Sequence, residues 1–485
     1  MFPSSFGIKD KWYQTGALLM LALCFVAYAL SETAFFLVLP FGFLLVLATI
    51  LNWKFIYWIL IASLPVSIFL DLGPVSTTLP DEPLMGLFLM VFLVLYASNP
   101  KVLPEWWWRN PIVLIVVLQF VWLFIPFIFS EEKLISFKFI VAKSWFLASF
   151  FLLPIVAFRD KKDLVMAFKL LLVPMIISMF IIVARHAIAG LDFESVEFAI
   201  KPLYYNHVEY STVISMFFPL VYIAWLLVDK RRPLLKLTLL FCVIFFLPAI
   251  YLTYARAAML AVIFAFAVNI AIRMRLAGFI MPVFYAALIA LLVFMVNNNK
   301  YIAFRPNYEK TYMHRDFADH IVATFRGTDM SSMERIHRWI AAIRMSQDRP
   351  ITGYGPNSFY YYYKPYALPM FRTYVSRNEE KSTTHNYYLF MLVGQGVPAM
   401  LLYGVLVMVV FVQAQRIYYR FRDPFYKKVT MGVIMVFAAG FVNNFFSELI
   451  ETHKVGALFY LSLAVLIILD RKSKQLSDRE KSLLH

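Results

Sequence analysis

Long apolar runs alternate along this chain with short polar breaks, and most runs reach the ~17–25 residues needed to cross a hydrocarbon core. They predict spans near 16–31, 34–51, 54–70, 84–97, 111–129, 138–158, 164–185, 208–228, 234–252, 256–272, 278–296, 386–413, 429–446 and 454–469. Pro40, Pro65 and the stretch from Pro80 to Pro83 crowd the second to fourth of these. The expected fold is therefore an all-α, polytopic membrane protein with about fourteen spans, within a range of 12–14. The first run is not followed by a small-residue cleavage site and further spans come at once, which argues against a cleaved signal peptide. One polar interruption breaks the pattern, from Asn297 to Thr384. The expected organisation is a single membrane domain over 1–485, with a large loop at 297–384 and a charged tail at 470–485. No internal repeat suggests the inverted halves of a secondary transporter.

Composition agrees with this pattern: 62% of the residues are hydrophobic and only 15% charged, outside the range of soluble globules. The net charge of +16 would suit nucleic acid, but its distribution argues otherwise. With the N-terminus in the cytoplasm, Lys9/Lys11, Lys101/Arg109, Arg159/Lys161/Lys162, Lys230/Arg231/Arg232, Arg273/Arg275, Arg416/Arg420/Arg422 and Arg471/Lys472/Lys474 fall on one side. The other side carries isolated cations such as Lys133, Lys201 and Lys454. That asymmetry follows the positive-inside rule, and it puts both termini in the cytoplasm and the large loop outside. Cys24 and Cys242 lie in apolar runs and offer neither a disulfide framework nor a metal site.

The large loop has helical character. Ser331 to Glu334 spells a capping box, and Met333, Ile336, Ile340 and Ile343 recur on one face. Arg335 and Arg338 project together from a neighbouring face, beside Trp339. Pro350 ends the helix, Gly353 and Gly355 supply a tight turn, and a tyrosine tract follows at 360–363. Thr383-Thr384 can cap the next span, setting His385 and Asn386 at a helix N-terminus, where anions are favoured.

Several groups could carry chemistry. Arg256 lies in a short outer turn between two spans. A snorkelling arginine would explain it, yet a charge so near the membrane is expensive enough to suggest anion binding. Arg335 and Arg338 fit a solvated face, but two guanidiniums on one face also form a fork for phosphate oxygens. His385 could be structural, or a general base titrating near neutral pH. Tyr204, Tyr205, Asn206, His207, Glu209 and Tyr210 form an outer-face cluster. An aromatic belt explains its tyrosines but not Asn206, His207 and Glu209, which suit sugars or headgroups. Lys143, mid-span, needs a partner or an anionic ligand. There is no phosphate loop, zinc motif, nucleophile elbow or outer Asp-x-Asp pair, so no metal or other cofactor is implied and phosphate handling would rest on arginines.

The run Glu334-Arg335, Trp339, Pro350-Ile351-Thr352-Gly353-Tyr354-Gly355, Thr384-His385-Asn386-Tyr387-Tyr388-Leu389 and Gly394-Gln395-Gly396 resembles the O-antigen ligase and polymerase superfamily. The pattern is an Arg, a Trp shortly after, Pro-x-x-Gly-x-Gly, then His-Asn-x-x-Leu and a Gly. The Thr253–Ala257 segment resembles the family's short Ser-Arg-Gly turn through Arg256, with Ala257 in place of the Gly. The likeness covers about a third of the chain.

The resemblance implies a GT-C-like, metal-independent, inverting glycosyltransferase of the bacterial inner membrane, acting on the periplasmic face. Its donor would be an undecaprenyl-diphosphate-linked glycan. Arg256 with Arg335 or Arg338 would hold the diphosphate, and His385 would deprotonate or orient the acceptor hydroxyl. Trp339, Gly353, Gly355 and Asn386 would bind substrate, with Tyr204, His207, Glu209 and Lys143 as further candidates. The first expectation is an O-antigen ligase using lipid A–core as acceptor. Alternatives are a polymerase joining repeat units, a protein O-oligosaccharyltransferase and, in another class, a transporter of anions or lipid-linked glycans.

Overall fold

The computed structural model describes residues 22–27, 29–30, 35–71, 76–304, 329–372 and 383–482. Among them, twelve helices are long and apolar enough to cross a membrane. In chain order they begin with α1 (Leu39–Val66), α2 (Asp81–Ser98), α3 (Pro111–Phe129), α4 (Lys133–Ala157) and α5 (Lys161–Ala189). A short helix, α6 (Phe193–Ile200), then leads to α7 (His207–Leu227), α8 (Pro233–Tyr251), α9 (Arg256–Arg273) and α10 (Ala277–Ala303). The loop helix α11 (Met330–Asp348) precedes the last spans, α12 (Tyr387–Arg420), α13 (Pro424–Phe445) and α14 (His453–Asp478). A two-stranded antiparallel hairpin, β1 (Ile68–Asp71) and β2 (Ser76–Leu79), pairs Ile68 with Leu79.

The predicted spans at 34–51 and 54–70 form a single helical run, Phe35–Ser63, broken at Asn52, where the backbone is not helical (φ −153°, ψ 76°). They count together as α1. Most of the predicted span at 16–31 lies outside the described residues, as do 305–328 and 373–382 of the large loop. The chain falls into two compact units, residues 1–61 and 62–485.

Within the second unit, burial separates the inner helices from those that face lipid. The apolar window of α14 is 89% buried and that of α7 is 72%, whereas that of α10 is 6%. Polar groups within the inner helices are costly unless they find protein partners, since no water is available to them. The Asn443 amide donates to Ser215 Oγ at 2.9 Å, joining α13 to α7.

Span starts are set by short polar side chains that accept from otherwise orphaned N–H groups. Asn206 accepts from Glu209 N (2.9 Å), Asn386 from Leu389 N (3.0 Å) and Asp423 from Phe425 N (2.8 Å). Pro111, Pro233 and Pro424 occupy first turns, where a missing N–H costs nothing. Asn386, rather than Thr383 or Thr384, thus caps the span after the loop.

Candidate active site

A second break within a span lies in α12, at Gly396 (φ 78°, ψ 177°). A break at membrane depth frees backbone groups that must be satisfied by protein. The turn after α11 supplies the partners. Tyr354 N donates to Val393 O (2.8 Å), Gly355 N to Gly394 O (3.0 Å) and Val397 N to Pro350 O (2.8 Å). Trp122 Nε1 of α3 donates to Gln395 O (2.9 Å).

Backbone can approach backbone this closely only without side chains. A Cβ on Gly353 would lie 2.5 Å from Val393 O, and one on Gly396 would overlap Ile351 O. Ser136 Oγ donates to Pro356 O (3.3 Å), and Arg349 pairs with Glu131 at 2.5 Å. Gly353 and Gly355 therefore seat the turn in the broken helix, and their close contacts are with protein. The tyrosine tract packs behind them. Phe359 and Tyr363 are buried with Tyr354, Ala341, Ala342 and Val393, and Tyr354 and Tyr366 share a hydroxyl hydrogen bond (2.7 Å).

This anchoring fixes α11, whose cap differs from the predicted box. Asp329 is the N-cap, accepting from Ser332 N (2.9 Å) and Ser332 Oγ (2.6 Å), while Ser331 lies inside the helix. Aspartate caps as well as serine does, and here it also has a charge to pair. Arg256 Nη2, at the first turn of α9, donates to Asp329 Oδ2 at 2.8 Å. Burial raises the Asp329 pKa, but the hydrogen bonds from Arg256 and Ser332 outweigh it and hold the carboxyl at about 2. The buried stripe of α11 runs through Met333, His337, Ile340, Ala341 and Met345, with Ile336 only half-buried. Replacing Asp329 with alanine removes the cap and the partner of Arg256 together. The expected cost is about 2–4 kcal/mol, read as a lowered midpoint of thermal unfolding in detergent.

The guanidiniums are not equivalent. Arg256 pairs with Asp329, and Arg338 donates to Glu334 at 3.3 Å. Arg335 lies between them with its Nε buried and unpartnered among the described residues. Burial, and next the charge of Arg256, lower its pKa to about 10, with Arg338 adding to the effect and Asp329 opposing it. A half-buried cation whose Nε has no partner among the described residues, held beside two other cations, is a costly arrangement that an anion would relieve.

His385 joins this group at the mouth of α12. Its backbone is left-handed (φ 48°), a conformation non-glycine residues rarely adopt and one that clusters at functional sites. Thr384 O accepts from Trp339 Nε1 (3.0 Å), so Trp339 ties α11 to the His385 segment. Burial, then the charges of Arg338 and Arg335, hold the imidazole at about 3, so it is neutral when the site is empty. Asn386 is used in the cap and in donating to Phe445 O (2.9 Å).

Glu448, between α13 and α14, was not singled out from the sequence. Burial lifts its pKa to about 7, against the pull of hydrogen bonds from Thr383 and the His385 backbone and of the nearby Arg338 and Arg335 charges. A carboxyl whose folded pKa exceeds its unfolded value of about 4.5 stabilises most below that value. Its contribution fades as pH rises through about 7. Thermal midpoints of wild type and Glu448→Gln should therefore diverge between pH 5 and pH 8, with only the wild type losing this component. Parallel curves would contradict the assignment.

The remaining predicted residues lie in other settings. Lys143 meets both Glu451 oxygens at 2.7 Å and Tyr460 OH at 3.2 Å, which supplies the partner it needed. Tyr204 is buried beneath Lys454, whose Nζ is 3.9 Å from the ring centroid. His207 binds Glu197 at 2.5 Å through Nδ1. Glu209 is buried and accepts from Tyr205 N at 3.0 Å. None of these contacts reaches the arginine group.

Arg256, α11, the Gly-Tyr-Gly turn, His385 and the broken part of α12 all fall within residues 241–404, which match the family model described as O-antigen ligase. That stretch is similar to the O-antigen ligase family. No curated protein matches the chain. The O-antigen ligase match covers about a third of the sequence and ends before Glu448, so that carboxyl reaches the site from outside the matched stretch. The family implies a membrane glycosyltransferase of ligase or polymerase type, working on a lipid-linked glycan and a glycan acceptor.

Proposed function

We propose that this protein transfers a glycan from undecaprenyl diphosphate to a hydroxyl of lipid A–core, without metal and with inversion at the anomeric carbon. It would act in the bacterial inner membrane with the large loop on the periplasmic face. The observation that carries the reading is Arg335, a half-buried guanidinium whose Nε is buried and which has no ion-pair partner among the described residues, flanked by Arg256 and Arg338 beside His385. A diphosphate is an anion of matching charge and geometry, and arginines take its oxygens bidentately.

In the reaction, the acceptor oxygen bonds to the anomeric carbon as the carbon–oxygen bond to the diphosphate breaks, and undecaprenyl diphosphate leaves with the electron pair. Charge builds on the leaving phosphate oxygens, where preorganised guanidiniums stabilise it most. The acceptor proton passes to His385. In the empty site that imidazole is a weak base, because Arg338 and Arg335 add to the effect of burial. A bound diphosphate cancels those two charges, so donor binding raises the basicity of His385. Base catalysis is thereby coupled to the presence of donor.

The test uses the full chain in lipid nanodiscs with undecaprenyl-diphosphate glycan, excess chelator and three acceptors offered separately: lipid A–core, a second carrier-linked repeat unit and a Ser/Thr peptide. Glycan appearing on lipid A–core is the expected result. Chain lengthening without lipid A–core would make the protein a polymerase, and transfer to peptide a protein glycosyltransferase. Binding without any transfer would point to a transporter.

A further inference from the structure

A cavity of about 240 Å³, with both polar and apolar walls, is lined by residues of β1, β2, α2, α4, the start of α7 and the segment joining α13 to α14. Glu451 and Thr452 of that segment border it, three and four residues beyond Glu448. One short stretch thus faces the arginine group with Glu448 and this second cavity with its following residues.

The lining is unlike the arginine group. Glu82, Glu209 and Glu451 contribute carboxylates, and Trp145 and Tyr205 contribute aromatic rings. Two of the carboxylates are occupied: Glu82 accepts from Thr77 Oγ1 (2.7 Å) and Thr78 N (3.1 Å), and Glu451 from Lys143. Glu209 is 2% exposed, yet its Oε1 has no hydrogen-bond partner among the described residues, and neither do Trp145 Nε1 or His453 Nε2. His453 Nε2 lies 4.0 Å from Glu209 Oε1 and 3.7 Å from Asp81 Oδ2, beyond hydrogen-bond reach of both. Buried polar groups of this kind are normally satisfied, so donors and acceptors without partners on residues that line one cavity favour a ligand with polar groups there. Interleaved donors, acceptors and aromatic faces suit a hydroxylated ring. The carboxylates disfavour an anion, and the diphosphate already has the arginines.

We infer that this cavity receives a neutral, hydroxyl-rich sugar of the acceptor glycan, with Trp145 as its apolar platform and Glu209, Trp145 Nε1 and His453 as its hydrogen-bonding groups. The inference rests on the transferase reading for the word acceptor, but the binding of a neutral sugar can be tested without turnover.

Saturation-transfer NMR on the full chain in nanodiscs would compare a neutral hexose trisaccharide with one bearing uronic acids, alongside binding of undecaprenyl-diphosphate glycan to the same samples. The neutral sugar should bind, the acidic one should bind at least about five-fold more weakly, and Trp145→Ala and Glu209→Gln should each weaken the neutral sugar by about five-fold or more. Donor binding should stay within about two-fold, which also shows that the variants are folded. Tyr205→Ala, at a ring that is 63% exposed, gives a variant expected to fold as the wild type does, and it should also weaken the neutral sugar. Neutral-sugar binding that survives all three substitutions, or tighter binding of the acidic sugar, overturns the inference. Loss of donor binding in the wild type would instead sink the transferase reading and leave the sugar result standing.

Discussion

Replacing Arg335 with alanine should slow glycan transfer by about 10²–10³-fold, the range seen when one preorganised donor to a developing anion is removed. The same change should leave thermal stability unchanged or raised. Arg335 has no ion-pair partner among the described residues and is held down by burial and by the charge of Arg256, so its removal relieves a cost. Arg338→Ala is expected to behave differently, because it leaves the buried Glu334 without its guanidinium and should lower stability as well as activity. Arg335→Lys keeps the charge but loses the planar fork, so it should fall between wild type and alanine. Initial rates and unfolding midpoints on the same preparations check both signs. A loss of activity below about three-fold in Arg335→Ala, or activity and stability falling together, would mean that this arginine is structural.

The second large effect is expected from Gly396→Ala. The added methyl would overlap Ile351 O at a backbone position with φ 78°, and no side-chain movement can relieve a clash with a main-chain carbonyl. Either the turn at 350–356 leaves the break in α12 or the break itself closes. In both cases Val393 O, Gly394 O and Val397 N lose their partners in a setting with no water to replace them. The expected cost is above about 4 kcal/mol, with transfer reduced to background. Hydrogen exchange provides the readout: amides of Tyr354, Gly355 and Val397 should lose protection, while those of α7 and α14 keep theirs. Unchanged protection at the turn would show that it is not seated as described.

How much of this was legible in the sequence depends on whether a feature is local. Hydrophobic run length gave the spans, because the bilayer imposes one length on every crossing. The arginine triad and His385 stood out because charge at a membrane boundary is rare enough to notice.

The cap of α11 was misplaced by two residues. Ser331 to Glu334 satisfies the capping-box pattern, and nothing local shows that Asp329 has Arg256 of a distant turn as a partner. Gly353 and Gly355 suggested substrate contact; a Cβ on Gly353 would meet α12, some 40 residues further along, and one on Gly355 would meet Ser130 and Ser136. Lys143 read as an unpaired charge because Glu451 lies 308 positions away. Glu448 passed unnoticed as one acid in a short polar connection, and only the folded chain shows it buried beside the backbone of His385.

The central claim is that Arg335, half-buried and without an ion-pair partner among the described residues, marks the seat of a lipid-linked diphosphate. Its most direct test is equilibrium binding of undecaprenyl-diphosphate glycan to the full chain in nanodiscs, with excess chelator, for wild type and Arg335→Ala over a range of salt. The account predicts metal-independent binding that weakens with salt and drops by about ten-fold or more in the variant. Equal affinity in the two proteins, or wild-type binding that appears only when a divalent metal is added, would contradict it.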